Sequence, residues 1–283
     1  MYINCIAHSS SDGNLLIGKT HTALFECGMA FCAKDTIQNV KNALRGGTLD
    51  YIFITHTHYD HIGALPFIRE EWPLARLVTS EAGAAVLLKN TPRRVIREFS
   101  AEAAGIQGVV FNGAYSDDAF HADLTVKDND VITLGGLSVQ VLETPGHTRD
   151  SLSYFIPEQG LLILSETPGV LAPDGCVYPC YLTSYGDTIN SIEKCRRTPY
   201  KVLSLPHRGV VDAEVVKGFF EKALASNTSC REFILCMHRK GHDANEILDA
   251  FYDKYGSEAL LSFQPKGAFI ANARATIACT LRE

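Results

Sequence analysis

The chain has 283 residues, of which 46% are hydrophobic and 20% are charged. This length allows one large domain or two small ones with a substantial buried core, and the composition excludes a disordered chain and a small disulfide-stapled scaffold. With 26 basic and 32 acidic residues the formal charge is −6 at pH 7, which argues against a broad cationic surface for nucleic acid or a membrane. We expect no export signal and no spanning helix, since no apolar run approaches about 18 residues.

Nine cysteines are present, an odd number, and none of them belongs to a Cys-x-x-Cys pair. Their spacings fit neither a zinc ribbon nor a disulfide framework. Several lie in apolar segments, where a thiol behaves as a small buried hydrophobic group. We therefore expect the protein to reside in a reducing compartment, the cytoplasm.

From the N-terminus to residue 122, strand-like apolar segments alternate with amphipathic helical ones. The segment at 49–55 (LDYIFIT) is apolar and β-branched, as expected of a strand buried within a sheet. The predicted strands are 14–18, 23–28, 49–55 and 75–80, and the predicted helices are 35–45 and 63–71, with further helix between polar breaks over 81–122. The first two strands predict a β-hairpin.

Strand-like segments return from about residue 125, and beyond residue 212 the chain becomes helical. The predicted strands are 124–126, 131–135, 137–144, 151–156, 161–166 and 201–206, and the predicted helices are 187–197, 213–226, 243–255 and 265–281. Two blocks of strands interleaved with helices predict an α/β fold, an αββα sandwich of two mixed β-sheets flanked by helices. We assign residues 1–212 to a main domain and residues 213–283 to a helical C-terminal cap packed on it.

Residues 13–20 match the GxxxxGK[ST] pattern of phosphate-binding loops. Such a loop works when it follows a strand and opens a helix, because its backbone N–H groups then surround the phosphate. Here the positions inside the pattern are strand-like, and the polar sequence SSSD precedes Gly13. We therefore do not expect nucleotide binding by this segment.

A cluster of metal-binding residue types follows the predicted strand at 49–55. His56, His58, Asp60 and His61 occur within six residues. Placing several imidazole rings at the end of a buried strand costs free energy unless a partner uses them. Imidazole and carboxylate groups suit zinc, iron or manganese. The cluster therefore predicts a metal site, and the competing interpretation is a polar loop with incidental histidines.

Two further histidines lie on turns after predicted strands. His147 follows Pro145 and Gly146 after the strand at 137–144, and His207 follows the strand at 201–206. Proline and glycine favour a turn at the first position. Each histidine alone is more typical of a surface or core-edge position, but together they supply the ligands that one loop lacks.

The order of these motifs resembles the metallo-β-lactamase superfamily, whose signature is HxHxDH, a histidine on a Gly-His turn, an acidic residue after a later strand and a final histidine. The resemblance covers about the first 212 residues, and the helical C-terminus is loosely similar to the glyoxalase II-type thioesterases. It implies the αββα fold of that superfamily. The implied metal ligands are His56, His58, Asp60, His61, His147, Glu166 and His207.

The resemblance also implies how these ligands are shared between two divalent ions. One ion would lie on His56, His58 and His147, the other on Asp60, His61 and His207, with Glu166 between them. The superfamily usually has aspartate where this chain has Glu166, so a single ion or a changed metal preference is the alternative. Zinc is the expected metal, with iron or manganese as alternatives. Glu26 stands where the family often has a supporting aspartate.

These features predict a metal-dependent hydrolase in which hydroxide on the metal ions attacks a small ester-like bond, a thioester or a lactone. Asp60 would also orient the water molecule. The alternatives are a metallo-phosphodiesterase or nuclease of the same fold, a di-iron redox protein, and a binding module with a vestigial site. We expect a small-molecule substrate and neither nucleic acid nor a membrane as partner.

The segment 170–185 should pass near the metal ions, because it lies between Glu166 and His207 in sequence. Its side chains with chemistry to offer are Cys176, Tyr178, Cys180, Tyr181 and Tyr185. We also name Phe263, Phe269 and Asn272 of the helical C-terminus as candidates for a surface that closes over the site.

Overall fold

The computed structural model describes residues 2–4, 13–111, 114–172, 174–211, 213–261 and 264–283. Within these ranges no helix combines the length and the hydropathy needed to cross a lipid bilayer. Cys5 and Phe263 fall outside the described residues.

The N-terminal half builds a six-stranded mixed sheet whose strands are ordered as they occur in the chain. The strands are β1 (Tyr2–Asn4), β2 (Asn14–Ile17), β3 (Thr22–Phe25), β4 (Tyr51–Phe53), β5 (Arg76–Ser80) and β6 (Leu124–Val126). The first three pair antiparallel and include the predicted hairpin, whereas β3 to β6 pair parallel. The phosphate-loop pattern falls on β2, whose backbone is paired on both sides, so it forms no loop around an anion.

The second sheet has the order β14-β13-β10-β9-β8-β7. Its strands, together with a separate two-stranded pair β11–β12, are β7 (Val131–Thr133), β8 (Ser138–Glu143), β9 (Leu152–Ile156), β10 (Leu161–Ile163), β11 (Val170–Leu171), β12 (Val177–Tyr178), β13 (Val202–Leu205) and β14 (Gly209–Val211). Only β10 and β13 pair parallel, with α6 forming the crossover between them. Both large sheets are therefore mixed, as predicted.

Helices cover the outer faces of both sheets. They are α1 (Ala33–Leu44), α2 (Tyr59–Ile62), α3 (Leu65–Glu71), α4 (Glu81–Leu87), α5 (Asn90–Ile106), α6 (Tyr185–Arg197), α7 (Ala213–Arg239), α8 (Ala244–Tyr255), α9 (Glu258–Leu261) and α10 (Lys266–Arg282). The helix predicted at 213–226 runs on to Arg239, with a kink at Lys217 and Gly218. It continues through a polar stretch in which Asn227 is buried and its amide donates to the carbonyl groups of Pro168 and Ala223.

The core between the two sheets is aromatic. Phe25 of β3 and Phe53 of β4 stack with ring centroids 4.9 Å apart, and Tyr154 of β9 packs edge-on against both at 5.3 Å. The Tyr154 hydroxyl donates to the Ile54 carbonyl at 2.6 Å, which joins the sheets. Separate apolar clusters pack the outer face of each sheet against its helices, which completes the predicted αββα sandwich.

The C-terminal helices form a further apolar cluster. Phe251 of α8 and Phe269 of α10 pack together around Tyr181 of the main sandwich, which is fully buried. The helical character of the region beyond residue 213 is as predicted. The division into units of 1–212 and 213–283 stays a prediction.

Candidate metal centre

The candidate ligands lie at strand ends that meet at one edge of the sandwich. His56 follows β4, His147 follows β8, Glu166 follows β10 and His207 follows β13. In the second sheet β8, β10 and β13 run in the same direction, since β9 is antiparallel to β8 and β10 while β10 is parallel to β13. Their carboxyl ends therefore share an edge, and the candidate ligands lie in the loops that follow these ends.

The HxHxDH segment changes from extended chain to helix within its own length. His58 has extended dihedral angles (φ −72°, ψ 154°) and directly precedes α2, which carries Asp60 and His61. The Thr57 amide donates to a carboxylate oxygen of Asp150 at 2.9 Å. This bond fixes the backbone between His56 and His58 to the loop that follows His147.

Backbone conformation also positions the two isolated histidines. Gly146 has φ +139°, and a Cβ atom there would lie 2.1 Å from the Thr188 hydroxyl of α6, so only glycine allows the turn to pack this closely. His207 itself adopts left-handed dihedral angles (φ 59°) between β13 and β14, a conformation that a residue other than glycine keeps only when its surroundings fix it.

The first group of ligand atoms consists of His56, His58, His147 and one oxygen of Glu166, all within 4.8 Å of one another. His147 Nε2 lies 3.1 Å from His58 Nδ1 and 3.1 Å from Glu166 Oε2. The His56 ring centroid is 4.6 Å from that of His58 and 4.8 Å from that of His147. Three imidazoles and a carboxylate oxygen thus converge on one point.

The second group consists of Asp60, His61, His207 and the other oxygen of Glu166, again within 4.8 Å. Glu166 Oε1 lies 2.6 Å from His207 Nε2 and 3.2 Å from His61 Nε2. Asp60 Oδ2 is 3.7 Å from His207 Nε2 and 4.0 Å from His61 Nε2. Glu166 is therefore common to both groups, one oxygen facing each, which is the division that the sequence resemblance implies.

The donor set fits metal ions. Nε2 of His56 has no hydrogen-bond partner although the side chain is fully buried, and such an orphaned nitrogen costs free energy unless it has a ligand to bind. His147 Nδ1 donates to the Cys180 carbonyl at 2.7 Å, and His61 Nδ1 donates to Glu26 Oε2 at 2.9 Å. Both bonds leave the Nε2 lone pairs directed into the centre.

Electrostatics favours the protonation states that metal ions require at His56, His147 and Glu166. Burial lowers the pKa of His147 to about 4, and burial together with the neighbouring imidazoles holds the pKa of His56 well below its usual range. Burial alone would raise the pKa of Glu166, but its electrostatic interaction with His147 and hydrogen bonds with His207 and His61 outweigh burial and lower that pKa well below 4.5. The two imidazoles stay neutral and the carboxylate stays ionised.

His61 differs from the other histidines. Burial lowers its pKa, but the Glu26 and Asp60 carboxylates and hydrogen bonds to Glu166 and Glu26 outweigh burial and raise the pKa well above 6.5. Metal ions bind the neutral imidazole, so metal binding at His61 competes with its protonation.

Glu26 occupies the supporting position that sequence analysis gave it. One of its oxygens accepts from His61, and the other accepts from the Thr55 amide at 2.6 Å. Asp150 was not predicted. Its polar position three residues after His147 was the available signal, but only the structure places it beside Thr57.

The tyrosines and cysteines of segment 170–185 divide into three kinds. Tyr178 and Cys180 line a cavity that opens beside the centre, and Cys180 serves the site through its carbonyl group. Burial raises the pKa of the Cys180 thiol well above 9.0, which disfavours a thiolate ligand. Tyr181 is buried and its hydroxyl bonds Thr280, Tyr185 packs against Tyr181, and Cys176 is exposed. The structure therefore brings only Tyr178 and Cys180 to the cavity.

The cavity lies between the metal centre and the C-terminal helices. Asp60, Glu166 and His207 contribute to its lining, and Phe269 and Asn272 of α10 contribute as predicted. It encloses about 690 Å³ of empty space including its opening.

Comparison with known proteins gives one family. The sequence profile of the Metallo-beta-lactamase superfamily matches residues 14–207. The metallo-beta-lactamase fold-containing protein ST1585 of Sulfurisphaera tokodaii is 24% identical over 179 residues, which are 62% of this chain and 67% of that protein. Hydroxyacylglutathione hydrolase of Brucella ovis is 30% identical over 123 residues, 44% of this chain and 35% of the relative. The match thus spans about a third of the Brucella enzyme.

Solved structures share the fold. The crystal structure of ST1585 matches with a TM-score of 0.60 at 20% identity, covering 78% of this chain and 85% of that chain. Metallo-beta-lactamase family protein TTHA1429 from Thermus thermophilus has a TM-score of 0.61 at 19% identity, covering 99% and 93% of the two chains. The second likeness includes the C-terminal helices.

Proposed function

This chain belongs to the metallo-beta-lactamase superfamily of metal-dependent hydrolases, and on that basis we propose that it hydrolyses a small thioester or lactone at a pair of divalent ions, zinc by preference. The observation that carries the proposal is the position of Glu166, whose two oxygens face two separate groups of ligands. Hydroxyacylglutathione hydrolase among the relatives supports a thioester.

His56, His58 and His147 would hold one ion, Asp60, His61 and His207 the other, and Glu166 would contact both. Divalent ions in such a site lower the pKa of water towards 7 and polarise a carbonyl oxygen. Asp60 lines the cavity, and in this proposal its carboxylate would accept a hydrogen bond from the attacking water and direct the water oxygen at the acyl carbon. A bond forms between the water oxygen and the acyl carbon. The bond between the acyl carbon and the leaving sulfur or oxygen breaks, and the leaving group takes up a proton.

The lining of the cavity favours a carbonyl ester over the phosphodiester alternative. No lysine or arginine lines it in the part of the chain that the structure describes, so an ionised phosphate would find no side-chain cation there. Basic side chains are the usual partners of phosphate groups in binding sites.

We also propose a reducing compartment, the cytoplasm, for this protein. The eight cysteines at described positions are all free thiols, which supports the proposal because disulfides are rare where thiols are kept reduced.

The first test is the metal content and activity of zinc-supplied protein. We expect about two ions per chain by elemental analysis, hydrolysis of thioesters or lactones, and slower hydrolysis of bis(p-nitrophenyl) phosphate. His58→Ala should lower activity at least about 100-fold, because it removes a ligand from a loop, while the circular dichroism spectrum stays unchanged. His238→Ala, an exposed histidine in α7, is the matched control. Full activity of His58→Ala, or a faster phosphodiesterase reaction, would contradict the proposal.

A further inference from the structure

Among the described residues, the wall of the cavity carries no charged side chain outside the metal centre. The charged or basic side chains in its lining are Asp60, Glu166 and His207. Lysine and arginine are absent from the described lining, and the residues outside the described ranges include neither of these types by sequence. An ionised group bound away from the centre would lose its hydration without gaining a partner, which is costly.

Several polar groups of the wall already bond within the protein. The Tyr178 hydroxyl lies 2.8 Å from the Ser257 hydroxyl in a hydrogen bond, and the Thr276 hydroxyl donates to the Asn272 carbonyl at 3.1 Å. The polar side chains that remain are all uncharged: the amides of Gln264 and Asn272, the hydroxyl groups of Tyr59 and Tyr255, and the thiol of Cys180. Much of what the cavity offers a ligand is therefore aromatic and aliphatic surface.

That apolar surface comes largely from the C-terminal helices. Phe251 of α8, Leu260 of α9, and Phe269 and Ala273 of α10 all line the cavity and are all at most 7% exposed. These side chains are fixed by packing in one apolar cluster, so the wall is preformed.

We propose that this cavity binds the acyl part of the substrate and selects a short, apolar, uncharged chain. This proposal rests on the proposed function, since it places the part of the substrate on the acyl side of the cleaved bond. The acyl half is favoured because common thiol carriers are anionic and need cations, which the described wall lacks. The carrier half then lies towards solvent, where a departing thiol can take up its proton.

Thioesters of N-acetylcysteamine test this selection, because the leaving group is uncharged and constant. We expect kcat/KM to rise about fourfold per methylene group from the acetyl to the hexanoyl thioester, as burial of apolar chain predicts. The adipoyl thioester, which places a carboxylate at the end of the same six-carbon chain, should react at least about 100-fold more slowly than the hexanoyl thioester. Equal rates for hexanoyl and adipoyl substrates would overturn the proposal.

Variants of α10 locate the effect. Ala273→Leu fills the cavity and should lower kcat/KM for the hexanoyl thioester at least tenfold while the acetyl thioester changes less than threefold. Ala278→Leu adds the same volume at an exposed position of the same helix and should change neither. Asn272→Lys, with Ala278→Lys as its control, should raise the adipoyl-to-hexanoyl ratio at least tenfold, and it keeps the test available if Ala273→Leu does not fold.

A binding experiment separates this inference from the proposed function. Hexanamide and adipamate are titrated into metal-free protein, where no ion can bind the carboxylate, and followed by NMR. Hexanamide should bind detectably and more weakly to Ala273→Leu, whereas adipamate should not bind. If hexanamide binds but no thioester or lactone is hydrolysed, the proposed reaction fails and the selectivity of the cavity stands. If adipamate binds as well as hexanamide, the selectivity is wrong whatever the reaction.

Discussion

Glu166 has one methylene group more than aspartate, and this extra length decides whether its carboxylate reaches both groups of ligands. The superfamily resemblance leads one to expect aspartate here, yet the longer side chain brings Oε1 to 2.6 Å from His207 Nε2 and Oε2 to 3.1 Å from His147 Nε2. The residue is at the end of β10 and nearly buried, so its backbone has little freedom to move. A shorter carboxylate from the same Cα would reach one group of ligands but not both.

We therefore expect Glu166→Asp to keep part of the metal and to lose more than tenfold in activity. Glu166→Ala should reduce the metal content further, to about one ion per chain or fewer, because both ion positions lose a ligand. Elemental analysis after dialysis against metal-free buffer measures both. Metal content that is indifferent to Glu166→Ala would remove this residue from the ligands.

Glu26 acts on the site through His61. Its left-handed backbone (φ 66°) follows β3, and it holds both the His61 ring and the Thr55 amide. Glu26→Gln replaces one oxygen with an amide group that cannot accept, so it disturbs one of these two bonds. We expect zinc affinity to fall about 10- to 100-fold, measured by competition with a chelator. Glu158→Gln, an exposed glutamate bonded to Ser138, should leave affinity unchanged; an unchanged Glu26→Gln would contradict a supporting role.

At the scale of elements, the stability of the helices beside the cavity depends on the hydrogen bonds at their ends as well as on their apolar faces. Asp243 caps α8 by accepting from the amides of Asn245 and Glu246, and Glu246 returns a bond to the Asp243 amide. This capping box was not predicted, although the segment 243–255 was. The same backbone N–H bonds lower the pKa of Asp243 below 3.8.

The lowered pKa sets the direction of a pH effect. An ionised Asp243 stabilises the folded protein above pH 3.8, and this contribution is lost as the pH falls through the lowered folded-state pKa. Wild type should therefore have a higher Tm than Asp243→Asn at pH 7, and the difference should shrink towards about pH 3.5. Asp253→Asn, near the other end of α8, should not lower the Tm. A difference that is constant with pH would rule out the charge as its cause.

At the scale of the whole molecule, the candidate ligands join the two sheets. His56, His58, Asp60 and His61 follow β4 of the first sheet, whereas His147, Glu166 and His207 follow strands of the second. The first ion position would combine ligands from both sheets, and so would the second. Bound metal should consequently stabilise the sandwich as a whole.

Chelation tests this stabilisation. Metal at about 100 times its dissociation constant contributes roughly 2.7 kcal/mol, which corresponds to about 5 °C in a chain of this size. EDTA should therefore lower the Tm of zinc-loaded protein by about 5 °C. The shift should be smaller in His58→Ala, which lacks one ligand. An unchanged Tm after confirmed metal removal would indicate that the ions do not link the sheets.

The sequence predicts a structural feature when residues close together in the chain determine it, and does not when contacts between distant residues do. Strands such as β8 and β9 are predicted because their apolar pattern is a property of adjacent residues. The extension of α7 to Arg239 is not predicted; its contacts are to distant parts of the chain, with Asn227 bonding the Pro168 carbonyl and Ile234 packing in the cluster of the C-terminal helices. In the same way the seven candidate ligands are identifiable from their order, whereas Asp150 is recognisable only once the chain is folded.

The amino-acid sequence by itself determined the αββα architecture, the family resemblance and the identity of the candidate ligands. These depend on residue type, residue order and local periodicity, which are properties of the unfolded sequence. Only the tertiary structure decided that Glu166 faces both ligand groups, that Tyr178 lines the cavity while Tyr181 is buried in the core, and that no cation lines the described wall. These facts depend on distances between residues far apart in sequence. Such distances are fixed by the packing of two sheets and their helices, which no local pattern encodes.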